Sequence, residues 1–195
     1  MSTFHHKILG DFTFDENDED PRWVAQCEFP AFAAFKYSSN GRVSRRRKIP
    51  VAVYGEMVPP KDAISVLMTI RKSQKKLVEG ICRAFFRDLH QQGYEDLSAL
   101  EEDYGMWWSR DPVAVALSCR EVLLKRLKRD RIWQPEDLFA VLYEPSIEIY
   151  PDSDESGEDC PRTLIDFGAE FEQEHGVSVL TDGKSVLNLG YSGEA

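Results

Sequence analysis

From Pro59-Pro60 onward, apolar residues recur at three- and four-residue steps, through Ile64, Leu67, Met68, Leu77, Val78, Ile81, Phe85 and Leu89. That period marks one face of a long helix, with proline at a first turn where no helical hydrogen bond is lost. The flanking sequence has a different rhythm. Trp23, Ala25, Cys27 and Phe29 alternate with their neighbours, as do Val51 and Val53 before the helix and Ile147 and Ile149 after it. A two-residue period belongs to strands with one buried face. A long helix bracketed by such strands restricts the chain to folds in which helix packs on sheet.

Further strands are expected over Ile8 to Phe14, Leu164 to Phe171, Val177 to Leu180 and Val186 to Leu189. Asn40-Gly41, between Phe32 to Tyr37 and Arg42 to Tyr54, signals a tight hairpin, as does Asp182-Gly183 between the last two strands, because these residues tolerate positive φ. Hairpin links make antiparallel neighbours. A second helix is expected from Asp111-Pro112 to about Arg129, with Ala116, Cys119, Leu123 and Leu127 inward and a basic last turn that complements the helix dipole. The expected fold is therefore α+β: a mainly antiparallel sheet built from the N- and C-terminal strands, with a long central helix and a second helix packed on it. One domain is expected to span residues 1–195, a length at which a core needs no disulfide or metal to complete it.

The formal charge of −10 sets the chain against non-specific binding of nucleic acid or anionic membrane and favours a basic protein partner. The acidity is concentrated. Asp11, Asp15, Glu16, Asp18, Glu19 and Asp20 form one cluster, and a second runs from Asp152 to Asp159. The first ten residues lack the apolar core of a secretory signal, and no run approaches a membrane span, so a cytoplasmic location is expected. Cys27, Cys82, Cys119 and Cys160 lie far apart, with no paired spacing, and read as reduced structural thiols.

The motifs that would carry chemistry are incomplete. Gly183-Lys184-Ser185 ends like a phosphate-binding loop, but Ser178 stands where the earlier glycine belongs. Asp152, Asp154, Ser156 and Gly157 begin like a calcium loop, but Thr163 replaces the closing glutamate. No cofactor or metal is expected. Glu174-His175-Gly176 could serve as a proton-transfer pair or metal ligand, which leaves a small hydrolase or metal-dependent enzyme centred on His175 as an alternative. The simpler reading is a turn in which Gly176 supplies an unusual backbone angle. Arg42, Arg45, Arg46, Arg47 and Lys48 offer a nucleic-acid-binding hairpin, set against a solvated face that pairs with the chain's own acids. Trp107 and Trp108 are either core or interface anchors.

The phrase Glu174-His175-Gly176-Val177-Ser178-Val179-Leu180, with Asp182-Gly183 and the stretch Val186 to Tyr191, resembles the ending of a group of uncharacterised bacterial domains. The strands Leu9 to Phe12 and Trp23 to Pro30 and the segment Pro135 to Leu138 follow in similar order. The resemblance implies kinship with immunity-type proteins of bacterial toxin systems and carries over no catalytic residue. Its implied function is non-enzymatic protein binding. Asp15, Glu16, Asp18, Glu19, Asp20, Trp107 and Trp108 are the candidate contacts.

Overall fold

A computed structural model describes residues 2–16, 20–39, 42–55, 58–91, 134–151, 161–169 and 172–191. The expected second helix, Trp107, Trp108, Asp18, Glu19 and the acidic cluster after Pro151 lie outside the described residues.

The strands are β1 (Thr3–His6), β2 (Gly10–Asp15), β3 (Arg22–Glu28), β4 (Tyr37–Ser39), β5 (Arg42–Ser44), β6 (Lys48–Tyr54), β7 (Leu142–Tyr150), β8 (Arg162–Ala169), β9 (Glu172–Thr181) and β10 (Val186–Tyr191). Helix α1 runs from Lys61 to Gln91. Eight strands make one sheet in the order β1-β2-β3-β6-β7-β8-β9-β10, and β4 pairs with β5 separately. Every neighbouring pair in the large sheet is antiparallel except β6 and β7, which run parallel with Val51 opposite Ile147 and Val53 opposite Ile149. A parallel pair needs a crossover, and α1 lies on the connection between these two strands.

The two-residue period translates into one buried face. Trp23, Cys27, Ile49, Val51, Val53, Ile147, Ile149, Ile165, Phe167, Val177 and Val179 share a core with Leu67, Ile70, Leu77, Ile81 and Phe85 of α1. Burying each such side chain contributes about 1.5–3 kcal/mol relative to exposure. The sides of α1 are also tied down. The Arg71 guanidinium donates to the Glu28 carbonyl, and the Ala31 N–H donates to Gln74 Oε1 at 2.8 Å.

Several sequence expectations need correction. The stretch Phe32 to Tyr37 is not a strand, because Pro30–Ala34 forms a 3-10 turn that buries Phe32. Phe29, Phe32 and Phe35 are spaced by three, the period of a 3-10 helix, and this spacing brings their rings together edge-to-face at 6.1 Å and tilted at 6.2 Å. Phe35 then meets Phe139 at 5.0 Å and Phe167 at 4.8 Å. The Asn40-Gly41 expectation survives in reduced form, with Ser39 facing Arg42 across the short β4–β5 pair. A second 3-10 turn, Pro135–Ala140, buries Leu138 ahead of β7. Ile8 belongs to the β1–β2 turn, which is closed by His6 Nδ1 accepting the N–H groups of Ile8 and Leu9 at 3.3 and 3.2 Å. The preceding strand β1 has no alternating apolar signal.

Two irregularities meet at β8. The register with β7 slips between Tyr143 and Ser146, where Glu144 adopts φ 53°, and the register with β9 slips between Phe167 and Ala169. Gly168 lies between these slips, opposite Tyr143, whose ring occupies the space a Cβ would need, 2.3 Å from its nearest atom. Gly176 has φ +69°, and a Cβ there would stand 2.6 Å from the Phe167 carbonyl oxygen. Glu174-His175-Gly176 thus lies inside β9, in a bulge between the pairs Phe167–Val177 and Ala169–Glu172. The segment is part of a strand and not a turn between elements, although the expected unusual angle at Gly176 is present.

Candidate functional site

Helix α1 carries Lys61, Arg71, Lys72, Lys75, Lys76, Arg83 and Arg87 against Asp62, Glu79 and Asp88, in a chain whose net charge is −10. Its apolar stripe faces the core, so the cations fall on the outer surface, where Lys72, Lys76, Arg83 and Arg87 are exposed. Lys76, Arg83 and Arg87 line a groove of about 530 Å³ whose opposite wall is β10 and the turn before it, including Lys184 and Leu187. Glu79, at 3.7 Å from Arg83, tempers this charge in an exposed helical pair worth roughly 0.3–0.5 kcal/mol.

The sequence fixes the groove walls firmly. Asp182 Oδ1 accepts the Lys184 and Ser185 N–H groups at 2.8 and 2.7 Å, closing the β9–β10 turn. Burial alone would raise the Asp182 pKa, but these two donors and the Lys184 charge outweigh it and hold the carboxyl below its ordinary value. Gly183, at φ +85°, lets the turn sit against α1, and a Cβ there would stand 3.2 Å from Thr69 Cγ2. The Ser73 hydroxyl lies between the Thr69 and Gly183 carbonyls, at 2.5 and 2.6 Å, and has one proton to share between them. At the floor, a Cβ on Gly80 would lie 3.9 Å from Val186 Cγ2, an ordinary van der Waals contact.

β10 ends the sheet, and among the described residues no further strand pairs with its outer edge. Its register with β9 slips between Val186 and Asn188, and Leu187 at this slip is 60% exposed. Leu187 adds an apolar side chain to this cationic groove.

The opposite face of the sheet carries a polar ladder. Arg22 donates to the Tyr54 hydroxyl at 3.1 Å, Tyr54 stacks on Tyr150 at 4.3 Å, and the Tyr150 hydroxyl donates to Glu148 Oε2 at 2.7 Å. Burial, reinforced by the donation to Glu148, raises the Tyr150 pKa far above neutral. A phenol so held stays protonated, which suits a cross-strand brace and not a nucleophile. Ser178 donates to Asp166 on the neighbouring strand, but Ser178 is fully buried and so out of reach of a substrate.

The residues singled out from sequence are dispersed. Asp15 closes β2 opposite Arg22, Glu16 follows it, and Asp20 precedes β3, while Glu174 and His175 lie on β9. The basic run is partly engaged by its own chain. Arg46 sits 5.0 Å over the Tyr37 ring and Arg47 pairs with Glu28 at 3.4 Å. His5 and Asp11 pair at 2.5 Å on the open surface of β1 and β2. Among the described residues, no three His, Cys, Asp or Glu side chains cluster in a way that could hold a metal. None of their helices is long and apolar enough to cross a membrane.

Sequence reasoning missed the groove residues Lys76, Arg83, Arg87, Lys184 and Leu187. The first three recur at seven and four residues, a spacing that places them on one helix face and was open to reading. The second wall was not, because nothing local sets which strand lies beside α1.

Comparison with protein-family models, curated proteins and solved structures finds no match to this chain.

Proposed function

We propose that this chain acts by binding another protein, as an immunity-type protein of a bacterial toxin system does, and that it works in the cytoplasm without catalysing a reaction. The observation that carries the reading is the separation of charge along the sheet. Asp15, Glu16 and Asp20 flank the β2–β3 connection, while Lys76, Arg83, Arg87 and Lys184 surround β10. The two groups lie by strands, β2 and β10, that are six places apart in the sheet order. Surface charges of opposite sign on different parts of a molecule steer association and select partners. The acidic end favours a basic partner.

Tagged protein retained on a column and exposed to native lysate tests the proposal when run beside two charge-reversed forms. One carries Asp15→Lys, Glu16→Lys and Asp20→Lys, and the other carries Arg83→Glu and Arg87→Glu. A protein captured by the wild type and lost from one of these forms supports the reading and assigns the end that binds. Recovery of nothing above background, or capture indifferent to both sets of substitutions, would sink it.

A further inference from the structure

We infer that the groove between α1 and β10 receives an extended acidic segment of a partner protein, with its carboxylates on the helix cations and an apolar side chain against Leu187. The inference rests on the protein-binding reading and specifies the occupant of one of its two surfaces. Charge is the first argument. Lys76, Arg83, Arg87 and Lys184 line the groove, and Glu79 on the helix pairs with Arg83. Guanidinium groups are the side chains best suited to two-pronged recognition of carboxylates.

Spacing is the second argument. Lys76, Arg83 and Arg87 stand at relative positions 0, 7 and 11 along α1. At 1.5 Å per residue, the first interval is about 10.5 Å and the second about 6 Å. An extended chain rises about 3.3 Å per residue with successive side chains on opposite faces, so acids two residues apart match the interval from Arg83 to Arg87, and the long Lys76 side chain reaches back to an acid four residues away on the same face. The occupant therefore has acids at about its first, fifth and seventh positions. The third argument is the other wall, where Leu187 is 60% exposed and Val186 is only partly buried, leaving apolar surface for a side chain between the acids. A long polyanion fits less well, because the chain's net charge of −10 repels it along its whole length while a short segment meets only the local cations.

The test uses the full chain and a fluorescently labelled synthetic octapeptide with glutamate at its first, fifth and seventh positions and leucine between them. Anisotropy is read at low and high salt, beside the same peptide with lysine for glutamate and a single-stranded oligonucleotide of equal charge. The glutamate peptide is expected to bind at low salt and weaken with added salt. Its affinity is expected to fall about tenfold or more in Arg83→Glu/Arg87→Glu and severalfold in Leu187→Ser. Both sets of changes lie on the exposed surface, and circular dichroism checks that the variants keep the fold. Absence of binding at low salt overturns the inference, as does equal binding of the lysine peptide or tighter binding of the oligonucleotide. It is equally overturned by binding indifferent to the arginine substitutions, or by self-association that those substitutions abolish in place of peptide binding. None of these failures touches capture that depends on Asp15, Glu16 and Asp20, so the protein-binding reading is judged separately.

Discussion

Gly168 has Tyr143 as its cross-strand partner, and the ring of that tyrosine fills the volume that a side chain would take. Covering a strand glycine with an aromatic ring is a recurrent way to recover packing where a Cβ is missing. Gly168→Ala is therefore expected to cost about 1–3 kcal/mol by overpacking, read as a lower urea midpoint. Adding Tyr143→Leu should recover part of the loss, because the two sites are in contact and their effects are not additive. The buried thiols give a second prediction. Burial pushes Cys27 up to about 12 against the nearby cations Arg71 and Lys48, and burial together with Glu136 pushes Cys82 up to about 12. Above about pH 9 the unfolded thiols lose their protons while the folded ones keep them. Their contribution to stability is thus complete below about pH 9 and declines as pH rises toward 12. Urea midpoints taken from about pH 8 to about pH 11 should fall, and fall less steeply in Cys27→Ala/Cys82→Ala. These single-residue properties were partly legible: Cys27 and Cys82 sit on apolar periods, and the backbone angle of Gly176 was anticipated. The place of Gly176 inside a bulged strand was not, because a register slip depends on the neighbouring strand.

The elements that sequence periodicity identified are those in which one period runs long enough to outweigh its context. Helix α1 and the alternating stretches of β3, β6 and β7 are of this kind. Short elements escaped for a physical reason. Phe29, Phe32 and Phe35 keep a period of three over seven residues, and that brief run resembles a strand until the hydrogen bonds from Phe32 N–H to the Phe29 carbonyl and from Phe35 N–H to the Phe32 carbonyl, at 3.0 and 3.1 Å, are seen. At this scale Asp182 is the residue to test. Asp182→Ala removes both acceptor contacts that close the β9–β10 turn and is expected to cost about 1 kcal/mol, the carboxylate being largely exposed. Because the folded pKa lies below the ordinary value, the contribution is present above about pH 4 and is lost as pH falls through the folded pKa. Thermal or urea denaturation of wild type and variant should therefore converge in acid and differ at neutral pH.

For the whole molecule, the net charge of −10 concealed as much as it conveyed. A sum does not show that α1, in a chain of net negative charge, presents a row of cations beside β10. The mainly antiparallel sheet was legible from the hairpin signals, and the parallel meeting of β6 and β7 was not, because it is made by residues roughly a hundred positions apart in the chain. That parallel pair divides the sheet into two runs of four strands, and its ladder is short, from Val51–Ile147 to Val53–Ile149. Each run can zip locally, whereas joining them demands closure of the longest loop in the fold, so the entropic barrier to folding falls at this seam. Trimming Val53→Ala or Ile149→Val should accordingly slow refolding in a stopped-flow chevron, whereas Leu189→Ala at the edge should chiefly hasten unfolding. The speed at which this protein assembles is then governed at the middle of its sheet, far from either surface that would meet a partner.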